Sequence, residues 1–230
     1  SHELRTPLNA IIGYSEMLHD EMDDKSEINR PQFQQDLGTI IHSGRQLLSL
    51  IDDILDLSKI ETGKMSLHCE TFNPTAIIKQ ACEVLAPLLK SNHNELRISG
   101  LEELPTLYND AAKFRQIFTN LLSNANKFTQ SGHISVSAQE VPERPGWITF
   151  TVEDTGIGIT SDQMSYVFDA FVQAESSTSA NYGGTGLGLA ISRDFCTLMG
   201  GSITVESEID VGSSFTVLIP TDPGLTHAAA

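Results

Sequence analysis

Apolar positions repeat at helical spacing from the first residues of the chain to about Glu61. Leu4, Leu8, Ile11, Ile12 and Leu18 form one stripe, and the polar stretch HDEMDDKSEINRP then interrupts it, which predicts a helical hairpin. In the second helix Phe33, Ile40, Leu47 and Ile54 recur every seven residues, as do Leu37, Gly44 and Ile51, and Ile41, Leu48 and Leu55. Three neighbouring stripes make a face too wide for one partner helix to cover. A second copy of the hairpin is therefore expected, closing a dimeric four-helix bundle.

Beyond ETGKM the pattern changes to strands alternating with helices. Strands are predicted at Met65 to Phe72, Glu95 to Ser99, His133 to Glu140, Trp147 to Glu153, Ser202 to Glu206 and Ser213 to Ile219. Helices are predicted at Pro74 to Leu89, Ala111 to Phe128, Ser161 to Phe168 and Gly186 to Met199. Consecutive strands occur beside helical crossings, so the reading is an α+β chain whose second domain is a two-layer α/β sandwich, not a doubly wound sheet. The domains are placed at 1–63 and 64–222, with a tail at 223–230, and the breaker-rich Ser176 to Thr185 is read as a loop.

Composition narrows the partners. Acidic residues outnumber basic ones 30 to 14 for a net charge of -16, a field that disfavours nucleic acid and anionic lipid. Cys69, Cys82 and Cys196 are far apart and form no CxxC pair, which argues against a zinc site or disulfide framework and fits a reducing cytoplasm. No apolar run approaches membrane-spanning length, so any membrane attachment is expected through a sensor region outside this chain.

Four segments of the second domain can hold chemistry. In NLLSNANKF, Asn120 and Asn124 lie one helical turn apart with Lys127 three residues further on, so neutral oxygen ligands and a cation share a face. Asparagine carbonyls suit Mg2+, which fills most of its shell with water and phosphate oxygens. In DTGIGI, Gly156 and Gly158 let the backbone approach a flat ligand, and Asp154 can accept a hydrogen bond from an exocyclic amine. The aromatic segment FDAF, Phe168 to Phe171, is read as core and as an anchor for the loop after it. In YGGTGLGLAI, Gly183, Gly184, Gly186 and Gly188 run into a helix whose unpaired N–H groups suit phosphate. The dinucleotide alternative fails because neither the preceding strand nor the GxGxxG spacing is present.

The order of these segments resembles the ATP-binding domain of histidine kinases, within the larger group that includes type II topoisomerases and mismatch-repair ATPases. The opening SHELRTPL before a helical hairpin resembles the dimerisation and phosphoacceptor domain of sensor histidine kinases. The resemblance covers nearly the whole chain and implies a Bergerat-type ATP-binding fold, with ATP and Mg2+ as cofactors. It implies autophosphorylation of His2 and transfer to an aspartate on a response-regulator receiver domain by a homodimer. Glu3 would take or orient the proton on the imidazole, Arg5 would steady phosphoryl oxygens or pair with a carboxylate, and Pro7 would bend the helix. Thr6, one turn from His2, is similar to the threonine of relatives that also dephosphorylate their regulator. The resemblance assigns Asn124 and Asn120 to Mg2+, Lys127 to a phosphate and Asp154 to the adenine amine. Gly156, Gly158, Gly184, Gly186 and Gly188 would line the nucleotide, with Val172 to Gly183 as its lid.

Two departures stand out. Where many relatives have basic residues before the glycines, this chain has Ala180, Asn181 and Tyr182. Asn126 stands where relatives are commonly apolar, and is either exposed or part of the metal shell. Two other classes remain open: a regulator phosphatase or degenerate binding module on the same fold, and an ATPase clamp of the topoisomerase type. The net charge of -16 and the hairpin weigh against the clamp.

Overall fold

The computed structural model describes residues 2–23, 29–172 and 186–226, the side chains of His2, Met22, Asp23 and Thr226 excepted. The chain divides into two units, 1–63 and 64–230. The first is a hairpin of α1 (His2–Asp23) and α2 (Arg30–Glu61). Helix α1 continues through Pro7, which lacks the N–H that would meet the Glu3 carbonyl, and runs on to Asp23, past the start of the polar stretch at His19 that the sequence pattern assigns to the break. Asn29 caps α2, with Pro31 in its first turn.

The hairpin sorts the apolar stripes by burial. Leu18 is buried and Leu4 and Ile11 are half-buried, whereas Leu8, Ile12 and Met17 face outward. On α2 the buried positions are Asp36, Ser43 and Leu50, a seven-residue series outside the three stripes read from the sequence. Two of its three members are polar, so hydrophobic periodicity does not reveal it. Leu37, Ile41, Leu48, Ile51 and Leu55 are left exposed along the helix.

The second unit begins with a short ribbon, β1 (Glu70–Phe72) against β3 (Leu107–Asn109), antiparallel. Its main sheet has the order β2-β4-β5-β7-β6, from β2 (Glu95–Ser99), β4 (His133–Glu140), β5 (Trp147–Asp154), β6 (Ser202–Glu208) and β7 (Gly212–Pro220). Only β2 and β4 run parallel; the other three neighbouring pairs are antiparallel. Helices α3 (Pro74–Ser91), α4 (Ala111–Phe128) and α6 (Gly188–Leu198) make the second layer, and a single turn, α5 (Ser161–Met164), lies between β5 and α6. Alternation explains the layering: Ile134, Val136, Ile148, Phe150, Val152, Val217 and Ile219 are buried, while Ser135, Ser137, Thr149 and Thr151 lie on the opposite, more open face. Phe114 and Phe118 of α4 meet Phe150 at ring distances of 5.3 and 5.4 Å, in edge-on contact.

Three elements differ from the sequence-based expectation. The strand expected from Met65 shrinks to Glu70–Phe72 and pairs with β3, a three-residue strand too short to read from alternation. The helix expected over Ser161 to Phe168 stops at Met164; a Thr160/Gln163 capping box starts it, and turns follow that bring Phe168 edge-on to Phe215. Helix α6 starts at Gly188 because Gly186, at φ +66°, cannot be helical.

One carboxylate fastens the start of α4. Asp110 Oδ1 accepts from the N–H groups of Ala112 and Lys113, and Oδ2 accepts from His68 N–H and from Lys113 Nζ at 2.8 Å. Burial pushes this carboxyl up, but the Lys113 bond, the two backbone N–H bonds and the Lys113 charge outweigh it and hold it below the ordinary value. A depressed carboxyl stabilises above its unfolded pKa and loses that contribution as pH falls through the folded one. Asp110→Asn should therefore cost about 3 kcal/mol at neutral pH, as expected for breaking a buried pair, and should flatten the acid limb of stability. Urea unfolding from pH 7 down to pH 2 checks both; an acid limb as steep as the parent's would contradict this account.

Candidate active site

Asp154 ends β5, with Ile134 of β4 and Ser213 of β7 on either side. The chain after it turns back on itself, and Asp154 Oδ1 accepts from Gly156 N–H at 2.9 Å and from the Thr129 hydroxyl at 3.4 Å. Burial pushes the carboxyl up, opposed by those two donors and by Ser213 N–H. The loop is held from two sides, with Ile157 N–H donating to the Phe128 carbonyl at 3.3 Å and Asp210 N–H donating to the Ile157 carbonyl at 2.9 Å. A Cβ on Gly156 would collide with the Phe128 carbonyl oxygen, and one on Gly158 with the Glu208 carbonyl oxygen. Gly158 also sits at φ +69°, so both its conformation and its surroundings require glycine.

Helix α4 supplies the second wall. Its apolar face, with Phe114, Ile117, Phe118, Leu121 and Leu122, is buried in the core, leaving Asn120, Asn124 and Lys127 half-buried along another face. Asn120 Nδ2 donates to the Gly188 carbonyl at 3.2 Å and to Ser192 Oγ at 3.4 Å, which ties α4 to the start of α6 and leaves the Asn120 carbonyl oxygen for a ligand. Among the described residues no hydrogen bond engages the Asn124 side chain. Lys127 Nζ lies 4.6 Å from the Phe128 ring centroid.

Helix α6 forms the third wall. Helices α2, α3, α4 and α5 begin with side-chain caps from Asn29, Asn73, Asp110 and Thr160, but Leu187, the N-cap residue of α6, gives no side-chain cap. The first-turn N–H groups of α6 have no partner within the helix, a feature suited to an anion, and Asn120 contacts that first turn. Gly188 packs against the Asn120 amide, where a Cβ would approach its Cγ to 3.4 Å. At the other end of the glycine segment, Phe171 N–H donates to the Gly186 carbonyl at 3.1 Å. The two ends of 172–186 are thereby held together.

The structure thus gathers Asp154, Gly156 and Gly158 at the tip of β5, close to the C-terminal end of α4, and brings Asn120 against Gly188 at the start of α6, while Gly186 lies against Phe171 and Val172. Gly183, Gly184, the departures at Ala180, Asn181 and Tyr182, and nearly all of the expected lid lie outside the described residues, as does the His2 side chain. Glu3, Arg5 and Thr6 follow His2 on the first turns of α1, Arg5 and Thr6 exposed. Neither alternative for Asn126 holds: it is 5% exposed and its Oδ1 accepts from Asn94 Nδ2 at 3.0 Å, a structural contact inside the fold. Sequence reasoning missed Thr129 and Ser192, which contact Asp154 and Asn120 from outside the motifs. Among the described residues no cluster of three or more His, Cys, Asp or Glu could hold a metal. No described helix is long and apolar enough to cross a membrane.

Residues 109–223 match the family described as histidine kinase-, DNA gyrase B-, and HSP90-like ATPase, and residues 1–63 match the His Kinase A (phospho-acceptor) domain. The chain is 43% identical over 218 residues to the sensor protein GacS of Pseudomonas syringae pv. syringae, covering 94% of this chain and 23% of that protein. It is 35% identical over 224 residues to the autoinducer 2 sensor kinase/phosphatase LuxQ of Vibrio harveyi, covering 96% of this chain and 25% of that protein. The crystal structure of full-length ShkA in complex with AMPPNP is similar at a TM-score of 0.72 and 30% identity, over 95% of this chain and 44% of that one. This chain therefore spans about a quarter of the length of the curated relatives it matches.

The loop after β5 can be tested without a ligand. Gly158→Ala and Gly146→Ala both impose a positive φ, +69° and +82°, but only at Gly158 is the obstacle backbone; at Gly146 the nearest atom is the Leu225 side-chain end. Gly146→Ala should cost about 1 kcal/mol and Gly158→Ala about 3 kcal/mol or more. Equal losses in urea unfolding would show that Gly158 is not packed against the β6–β7 turn as described.

Proposed function

The chain belongs to the histidine kinase-, DNA gyrase B- and HSP90-like ATPase family, and on that premise we propose that it is the catalytic core of an ATP-dependent protein histidine kinase. Its His2 imidazole accepts the γ-phosphoryl group of ATP and passes it to an aspartate on a response-regulator receiver domain. The observation that carries this reading is the meeting of α4 and α6: Asn120 binds the first carbonyl of a helix whose N-terminus has no side-chain cap. A phosphate chain placed there faces helix N–H groups on one side and asparagine oxygens on the other.

Each residue then has a role that follows from its chemistry. Asp154, as a carboxylate, accepts from the adenine amine, and Gly156 and Gly158 let the ring lie against the backbone. Asn124 and the carbonyl oxygen of Asn120 would hold a hydrated Mg2+, which when bound neutralises charge on the phosphate oxygens. Lys127 lies one turn beyond Asn124 and adds positive charge to the same face. Phosphoryl transfer needs little covalent help beyond the nucleophile, so positioning and charge neutralisation account for most of the rate. A ring nitrogen of His2 attacks the γ-phosphorus, the bond to the bridging oxygen breaks, ADP departs, and Glu3 orients or takes the proton on the other nitrogen. Arg5 steadies the transferred phosphoryl oxygens. A phosphoramidate is energetic enough for onward transfer to an aspartate.

The exposed apolar row on α2 supports a homodimer. Ile41 is 53% exposed, Leu48 61% and Leu55 51%, one helical face that a second hairpin would cover. Thr6, exposed on α1 one turn from His2, supports a second activity in this reading: its hydroxyl would orient water for dephosphorylation of the regulator.

Incubation with γ-phosphate-labelled ATP and Mg2+ tests the reading. Acid-labile, alkali-stable label is expected on the parent chain and is expected to be lost in His2→Gln and in Asn124→Ala. Label that persists in His2→Gln would refute the phosphoacceptor assignment, and tight nucleotide binding without label would favour the phosphatase. Independently, Leu48→Glu combined with Leu55→Glu should convert dimer to monomer in sedimentation equilibrium without moving the unfolding transition of 64–230.

A further inference from the structure

We infer that Asn94 and Asn126 are positioning residues for the adenine-binding end of the site. They form an amide pair that fixes where α4 stops, and through Thr129 and Phe128 they place Asp154 and the loop after it. This rests on the reading of Asp154 as the acceptor of the adenine amine.

Helix α4 ends without the left-handed glycine that commonly closes a helix; its C-cap is Thr129 in extended geometry, φ -111° and ψ 135°. The last carbonyls of such a helix need donors from elsewhere. Two come from the turn between α3 and β2: Asn92 Nδ2 donates to the Asn126 carbonyl at 2.9 Å, and Asn94 Nδ2 donates to the Thr129 carbonyl at 2.8 Å. The second proton on Asn94 Nδ2 goes to Asn126 Oδ1 at 3.0 Å, and Asn94 Oδ1 accepts from Gly132 N–H at 3.1 Å. Both amide protons and the oxygen of Asn94 are thus engaged on 126–132 alone. A side chain so fully used leaves that segment little freedom to shift.

The segment it fixes is the one that holds the adenine end. The Thr129 hydroxyl lies 3.4 Å from Asp154 Oδ1, and the Phe128 carbonyl accepts from Ile157 N–H. Thr129 is 2% exposed, so its hydroxyl has no solvent to turn to and stays on the carboxylate. The path from the amide pair to the adenine site is two residues of chain and one hydrogen bond.

The test compares ATP with ITP, which lacks the exocyclic amine, in the 230-residue chain. A purely structural role would change stability and leave the ratio of the two affinities alone; a positioning role changes the ratio. Asn94→Leu strands the buried Asn126 side-chain oxygen, and Asn126→Leu takes one acceptor from the half-buried Asn94 amide; both are expected to lower the unfolding midpoint, the first more. The double variant removes both members of the amide pair but still leaves the Thr129 carbonyl and Gly132 N–H without their Asn94 partner, so it is expected to recover only the part of the loss that comes from the Asn94–Asn126 bond. The ATP preference should nevertheless fall about threefold or more in the double variant, and by a similar factor in Thr129→Val, against about tenfold in Asp154→Ala. A folded double variant with the parent's ATP preference would overturn the inference. Should the double variant not fold, Thr129→Val decides, and an unchanged preference there overturns it equally. If Asp154→Ala keeps the parent's preference, the reading of Asp154 fails and the inference fails with it, a result distinct from failure of the amide pair alone.

Discussion

The junction between the end of α4 and the loop after β5 constrains the rest of the second unit. A helix carbonyl at Phe128 accepts from Ile157 N–H, and Gly156 packs so tightly beneath it that no side chain fits. Because Asp154 is the last residue of a central strand and Phe128 the last of the central helix, that contact sets the height of the helical layer over the sheet at the site. The phenylalanines of α4 packed on Phe150 set the same spacing from inside the core. Burial and ligand geometry are therefore coupled: a shift of α4 that relaxed the aromatic packing would also displace Asn120 and Asn124. Asn120 extends the coupling to α6 through the Gly188 carbonyl.

The hairpin follows a different logic. Its internal seam on α2 contains Asp36 and Ser43, and Asp36 is 1% exposed with one oxygen bonded to Gln32 Nε2 and the other without a partner among the described residues. Such a seam gives little hydrophobic stabilisation per residue and includes the cost of a buried polar group. The larger apolar surface lies on the outside, in Leu37, Ile41, Leu48, Ile51 and Leu55. In the proposed dimer most of the hydrophobic stabilisation of this unit would thus come from association, and the polar seam positions would favour one register over slipped alternatives.

Much of this architecture can be read from local pattern. The alternation in β4, β5 and β7 and the helical stripe of α4 appear in the sequence because each element has one face toward a single core. The motifs around Asp154 and Gly188 are equally visible, since a glycine held by contact or conformation can be nothing else. What the sequence hides depends on distance or polarity. Asp36 and Ser43 carry no hydrophobic signal, β3 is three residues long, and the Asn94 contact with Asn126 spans 32 positions. The structural role of Asp110 was nearer to hand, as an aspartate directly before a helix with a lysine three residues on. Asn126 shows the limit most clearly, for its residue type suggested solvent or metal and its actual partner is another amide.

Charge sets a final constraint on how a nucleotide is bound. The chain has a net charge of -16, so its overall field opposes a polyphosphate. Screening limits that opposition to about 8 Å at physiological ionic strength, inside which the groups lining the site decide the balance. Those groups are neutral asparagine oxygens, the N–H groups opening α6 and Lys127, a set with one full positive charge among the described residues of the α4 site face. One lysine and helix N–H groups do not balance a triphosphate. On the proposed reading, in which the asparagine oxygens hold a cation, the arrangement would favour a nucleotide that arrives with its divalent ion over the free nucleotide. Metal and nucleotide affinity would then be linked, each raised by the presence of the other.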